Sequence, residues 1–410
     1  MKIVASAAMA ALLISVMPSA ASVTAAGSGR ARVRPADVGV VVPFELANKT
    51  IYIRVEVGGK PLWFILDTGI KYTVIDLETA RKLALPLDDP VPVGGGGTAT
   101  VTGNLLKGGK VVLPHVPGGD FPLFLALPLD DLARLSGRDV SGVIGFDLFS
   151  RFVVEVDYRA RRIVLHDPAR YRYGRQGASL PITFNAAGHP VVGGEVIDGR
   201  GPPMAGRFVF DIGSGATVIL NRPFVEQGRF LVGGRSTVPW LAGYGIGGGV
   251  NGRVGRIDAF RIGPYLLPQP VAIFSQAPAG AFSGSEEQGN IGAGLLDRFR
   301  IILDYPQKRI ILKPESGLGR RFDYEKTGVM LTTPGPPYTT YQVEAVADPS
   351  PAWAAGIRPG DRLVAVNGRP AASFTLSALR EKLQQERKLR LTIERNGRRF
   401  ETTLTPRPMI

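Results

Sequence analysis

Asp67-Thr68-Gly69-Ile70-Lys71-Tyr72-Thr73-Val74-Ile75 and Asp211-Ile212-Gly213-Ser214-Gly215-Ala216-Thr217-Val218-Ile219 are one pattern, Asp-x-Gly-x-x-x-Thr-Val-Ile, written twice in the same chain. Each copy follows an apolar run, Trp63-Phe64-Ile65-Leu66 in the first and Phe208-Val209-Phe210 in the second. An acidic residue at the end of a buried strand is costly without partners, so two such placements imply that the carboxylates meet. The glycines have a reason in the same picture: Gly69 and Gly213 let two turns approach with no Cβ atoms between them.

The repeat is longer than the motif. Gly142-Val143-Ile144-Gly145 and Gly289-Asn290-Ile291-Gly292 each precede an apolar strand, which closes in Asp157-Tyr158 or Asp304-Tyr305. Arg162-Ile163-Val164-Leu165 and Arg309-Ile310-Ile311-Leu312 follow. The spacing is nearly the same in both halves, so the chain contains a duplicated lobe, 38–170 and 178–315, with a linker around Arg170 to Gly177. Short β-branched runs broken by Gly and Pro make both lobes mainly β. Ile51-Tyr52-Ile53-Arg54-Val55-Glu56-Val57 before Gly58-Gly59 reads as a hairpin arm. Helical signals are few, as at 76–83. Asp157 and Asp304 also repeat, but Asp-Tyr ahead of a turn reads as hairpin chemistry rather than a second acid pair.

Length and composition bound the rest. With 410 residues, 44% of them hydrophobic, the chain buries more than one core. Residues 1–21 read as a signal peptide: Met1-Lys2, an apolar run from Ile3 to Met17, then Pro18-Ser19-Ala20-Ala21-Ser22. That run is too short to span a bilayer, so no stable membrane span is expected after its removal. Residues 22–37 read as a disordered lead rich in Ala, Gly and Arg. There is no cysteine, which leaves stability to packing and excludes a lipid-modified cysteine anchor. An exported bacterial protein, periplasmic or secreted, is the expected setting. A net charge of +14 is scattered along the chain, which argues against a nucleic-acid partner.

Two opposed carboxylates sharing a proton have a defined chemistry. The ionised one takes a proton from water while the protonated one hydrogen-bonds a carbonyl, which makes a nucleophile and an electrophile in one place. Competing motifs carry less. His115, His166 and His189 are isolated, so no metal or cofactor is expected. Gly243-Tyr244-Gly245-Ile246-Gly247-Gly248 fits a dinucleotide fingerprint but lacks the helix that should follow it.

On these residues the chain resembles the retropepsin-like and pepsin-like aspartic proteases, the bacterial retropepsin-like branch in particular. The resemblance covers roughly Val38 to Pro314 and implies a bilobal pseudo-two-fold acid-protease fold, two β-barrel-like lobes. It further implies Asp67 and Asp211 as the catalytic pair, with Thr68, Gly69, Gly213 and Ser214 in support, and a polypeptide substrate. The crossing segments should be Val143-Ile144-Gly145 and Asn290-Ile291-Gly292, the second a poorer match. Flaps should lie at Gly95, Gly96 and Gly97 and at Gly245, Gly247 and Gly248, where glycine suits a mobile lid. Single-lobe members dimerise, whereas this chain holds both halves and should act as a monomer. Two departures stand out. Thr68 can bond across to the other lobe's backbone and Ile212 cannot; Ser214 can hydrogen-bond Asp211 and Ile70 cannot do so for Asp67. By analogy Asp211 is the better-stabilised anion and Asp67 the protonated member.

The last eighty or so residues differ in character. Ser350-Pro351-Ala352-Trp353-Ala354-Ala355-Gly356 reads as a short helix stopped by glycine, and 357–368 as a turn, a strand and a tight Asn-Gly turn. A helix with Leu376, Leu379 and Leu383 on one face follows, then two strands around Asn396-Gly397. The run Ala355-Gly356-Ile357-Arg358-Pro359-Gly360-Asp361-Arg362-Leu363 with Val366-Asn367-Gly368 resembles a PDZ domain, a small α+β module, over 324–408. The resemblance implies a groove that receives a peptide C-terminus, with Gly328, Val329, Met330 and Leu331 as carboxylate loop and Leu379 and Leu383 on the facing helix. Trp353 is expected in the core. Two function classes follow: an exported aspartic endopeptidase whose PDZ domain recruits substrates, or a catalytically weak protease-fold protein that binds peptides. Ile212 leans to the second; the paired Asp, Gly and flap residues lean to the first.

Overall fold

The structure, a computed structural model, describes residues 39–410 other than Thr98 and Glu386. The expected signal peptide (1–21) and lead (22–37) lie outside the described residues.

Six antiparallel strands are shared by the two lobes. Lobe 1 contributes Val40–Ala47, Arg162–His166 and Val153–Asp157; lobe 2 contributes Phe299–Asp304, Arg309–Pro314 and Ala178–Pro181. The seam pairs Val154 with Leu303, Glu155 with Ile302 and Val156 with Ile301. Val154, Val156, Ile301 and Leu303 are fully buried and belong to one hydrophobic core running through both lobes, which is why the lobes form one folding unit. Arg300 anchors the seam's polar side, 2.8 Å from Asp157 and 3.5 Å from Glu155. Asp157 accepts from Ala160 N at 2.8 Å and Asp304 from Gln307 N at 3.3 Å, so both acids hold tight turns. The linker is not free: Tyr171 and Tyr173 pack on Val153, Ile302 and Ile311.

Within each lobe the same local plan recurs. The strand Lys60–Leu66, which delivers Asp67, runs parallel to Gly142–Ile144, and that segment pairs antiparallel with Val74–Asp76. In lobe 2, Met204–Asp211 runs parallel to Gly289–Gly292, which pairs antiparallel with Val218–Leu220. Glycine opens each crossing segment because nothing else fits: a Cβ on Gly142 would lie 2.2 Å from Phe64, and one on Gly289 2.0 Å from Ile219 O. The hairpin Thr50–Val57 with Lys60–Leu66 turns at Gly58-Gly59, both at positive φ. Its first strand is less amphipathic than its alternation implies, because Tyr52 on the second face is buried in a satellite cluster with Ile65, Val74 and Val143.

The C-terminal domain has its own core, from Val329 to Leu404. Its sheet runs Val329–Thr332, Tyr341–Val346, Arg362–Val366, Leu389–Arg395, Arg398–Leu404, so Val329–Thr332 is an edge strand. The helix Leu376–Leu383 buries Leu376, Leu379 and Leu383, and Thr375 caps it by accepting from Ala378 N. Among the described residues no helix is long and apolar enough to cross a membrane.

Candidate active site

The two acids arrive on matching strands and meet at their glycine turns. The Asp67 amide donates to Ile144 O in the crossing segment at 3.0 Å, and Asp211 is level with Gly292. A Cβ on Gly69 would stand 3.1 Å from both Asp67 Oδ1 and Asp211 Oδ2, so the carboxyls converge on one point. A Cβ on Gly213 would lie 2.1 Å from Asp67 Cγ, inside the carboxyl group itself. Each acid therefore leans on the other lobe's glycine.

The environment makes the two acids unequal. Asp67 accepts from Gly69 N at 2.6 Å. Desolvation by the surrounding fold, and then the charge of Asp211, hold the Asp67 pKa well above the usual carboxylate range. Asp211 is better supplied with donors: Gly213 N and Ser214 N each reach its Oδ1 at 2.9 Å, and Asn290 Nδ2 reaches its Oδ2 at 2.8 Å. The Ser214 contact is a correction, because the bond comes from the amide while the hydroxyl accepts from Ala216 N at 3.4 Å. The surroundings therefore favour the neutral form of Asp67 and give Asp211 three donors.

Thr68 braces the pair across the lobes. Its hydroxyl donates to Phe210 O at 2.6 Å and accepts from Ile212 N at 3.0 Å. Ile212 returns no such bond and buries its side chain completely. Tyr305, stacked among Phe146, Phe149 and Phe184, lies close behind. Burial, followed by the charges of Asp67 and Asp211, pushes its hydroxyl well above the usual range. His189 is lowered by burial despite the charge of Asp211.

Asn290 is the functional candidate that pattern matching passed over. Its register partner across the parallel pair is Val209, and the equivalent residue in lobe 1 is Val143 beside Ile65. A polar residue at a position that should be apolar was itself the signal. Asn290→Val removes a donor to a charged oxygen, a contact worth about 1.5–3 kcal/mol. Given peptidase activity, the acidic limb of the pH–rate profile is expected to move up by about 1–2 pH units. An unmoved limb would assign Asn290 a packing role only.

Flap glycines of the two lobes meet. The hairpin Leu87–Val93 with Val101–Leu106 carries Gly95, Gly96 and Gly97 at its tip; Val238–Gly245 with Gly248–Arg256 turns at Ile246-Gly247. Gly97 N donates to Ile246 O at 2.9 Å and Ala99 N to Gly247 O at 3.0 Å. A Cβ on Gly97 would lie 2.1 Å from Gly247 C, and one on Gly245 3.1 Å from Gly96 Cα. Gly248 takes positive φ at the turn. Ile246 packs on the lobe 1 cluster that includes Ile70, three residues beyond Asp67. Among the described residues no cluster of His, Asp or Glu could hold a metal ion.

Residues 53–148 match the family model described as aspartyl protease, a span holding Asp67 and its crossing segment. Residues 342–395 match that of the PDZ domain. The chain thus joins a segment similar to aspartyl proteases to a C-terminal segment similar to PDZ domains. The second protease lobe lies outside the matched span and is tied to the first by its repeated motif and strand order. No curated protein matches the chain.

In the PDZ domain the expected loop shifts. Val329, Met330 and Leu331 belong to the edge strand, and the loop before it is Glu325-Lys326-Thr327-Gly328, with Gly328 at φ +73°. Its amides are engaged: Thr327 N donates to Glu325 Oε1 at 2.9 Å and Gly328 N to Glu325 Oε2. Val329, Leu331, Leu379 and Leu383 are buried in the domain's own core, and Met330 is half-buried. Trp353 is not core: it is 36% exposed with the Arg358 guanidinium stacked 3.7 Å from its ring.

Proposed function

We propose that the protein is an exported aspartic endopeptidase that hydrolyses peptide bonds with Asp67, Asp211 and an activated water. The supporting observation is the convergence of both carboxyls on one point beside the glycine turns. Asp211, ionised and held by three donors, takes the proton of the attacking water; Asp67, kept protonated, donates to the scissile carbonyl. The glycine-tipped flaps cover a bound polypeptide, and both lobes in one chain make a monomer sufficient. The PDZ domain is the peptide-binding module of the same chain. Export is supported by Lys2, the apolar run to Met17 and the small residues that follow.

One observation favours a second reading. The Ile212 side chain leaves the cross-lobe brace to Thr68 alone, which fits a weak catalyst that binds peptides in its cleft. Incubation with an unstructured protein across acid to neutral pH separates the two. Fragments whose formation is blocked by a statine-type transition-state mimic are expected; intact substrate at every pH would leave only the binding role.

A further inference from the structure

The edge strand Val329–Thr332 pairs on one side only, with Tyr341–Val346. Its other edge, where an added peptide strand would bond, already has partners. Val329 N donates to Thr327 Oγ1 at 3.3 Å, and Leu331 O accepts from Arg380 Nη2 at 2.7 Å, a bond across the groove from the facing helix. Just beyond the strand, Thr333 N and Oγ1 both donate to Arg134 O of lobe 1 at 3.1 Å. At the carboxylate end Glu325 holds the loop amides, and Gln384 at the end of the facing helix donates to Glu325 at 3.1 Å.

Lobe 1 has its own reason to be there. The helix Asp130–Ser136 is only seven residues long, marginal on its own, and its last carbonyls need donors from elsewhere. Ala133 O is served locally by Gly137 N at 2.8 Å, but Arg134 O is served by Thr333 and Leu135 O by Arg380 Nη2 at 2.8 Å. A guanidinium at a helix C-terminus is also favoured by the helix dipole. Burial lowers the Arg380 pKa only to about 10, so it is charged at neutral pH. Arg134 adds an ion pair with Glu344 at 3.2 Å, Tyr338 OH donates to Asp139 at 3.1 Å, and a Cβ on Gly137 would lie 2.6 Å from Leu376.

We infer that the PDZ groove is the docking site for the C-terminal end of this lobe 1 helix, so that a peptide ligand enters only by displacing the chain's own protease lobe. The groove is keyed to main-chain carbonyls at a helix end, and a terminal carboxylate must also expel Glu325. The docked segment continues into the crossing strand: Ser141 N donates to Trp63 O at 2.9 Å, Asp76 N to Ser141 O at 2.8 Å, and Asp67 N to Ile144 O at 3.0 Å. A ligand that undocks the helix therefore acts on the scaffold of Asp67, and the coupling is reciprocal. This inference does not need the protein to be a protease.

Amide hydrogen exchange on the full chain tests it. Arg380→Met keeps the apolar stem and removes the Nη2 that donates to both Leu135 O and Leu331 O; exchange over 131–139 is expected to rise about tenfold or more. The interlobe strand Phe299–Asp304 should be unchanged. Unchanged exchange over 131–139, with the PDZ strand Leu389–Arg395 still protected, overturns the docking. If that strand loses protection as well, Glu344→Gln decides, since it removes the charge paired with Arg134 while its amide oxygen can still accept from Thr332 Oγ1. About a twofold to threefold rise over 131–139 then supports the docking, and no rise overturns it.

Discussion

Asp67→Asn with Asp211 intact is expected to lower peptide hydrolysis by about three to four orders of magnitude, and Asp211→Asn to do the same. The amide at 67 cannot protonate the departing groups in turn, and the amide at 211 cannot take a proton from water. Stability should move the other way in the first variant. Desolvation and the charge of Asp211 raise the Asp67 pKa in the folded state, so the neutral form is the favoured one. For a raised group the stabilising contribution is full at low pH and is lost as pH climbs through the raised value. Asparagine is neutral throughout and does not lose it. Asp67→Asn should therefore melt like the parent in acid and roughly 2–4 °C higher at neutral pH. Peptidase assays and melting curves on both variants read this directly; either variant retaining most of its activity would end the shared-proton mechanism.

Gly213→Ala should also cut turnover heavily, though by less than loss of either acid, and Gly69→Ala clearly less again. The added methyl at 213 would stand 2.1 Å from Asp67 Cγ, against 3.1 Å to the nearest carboxyl oxygens at 69. The first distance cannot be met without driving Asp67 away from its partner; the second asks for a few tenths of an ångström. Displacing a reacting group by about 1 Å costs on the order of a hundredfold in rate, and forced overpacking about 1–3 kcal/mol of stability. Rates and unfolding midpoints of the two variants test the order. Equal effects would mean that the turns are free to separate.

The duplicated plan was legible because each half repeats several signals at once: acid, glycine, Thr-Val-Ile, and a crossing segment opening with glycine. Backbone geometry constrains all of these, so they survive as letters. What escaped was made by contacts between distant segments. Asn290 looked like a poor match to an apolar consensus, yet its amide reaches Asp211. Ser214 was read by its hydroxyl, whereas the turn brings its main-chain N–H to the carboxylate. The PDZ loop lies ahead of the edge strand rather than on it, and nothing local in the letters says that Glu325 folds back on the amides of Thr327 and Gly328. Trp353 is expected in the core rather than at a ligand, but the adjacent Arg358 covers one face and makes a surface position tolerable.

Joining both lobes through one sheet within a single polypeptide has an evolutionary consequence. In an assembly of two identical subunits every substitution is made twice, so neither copy of a motif can be altered without the other. Here the genetic tie is cut. Threonine at 68 and isoleucine at 212, valine at 143 and asparagine at 290, are divergences that a homodimer could not encode, and they give the two acids different surroundings.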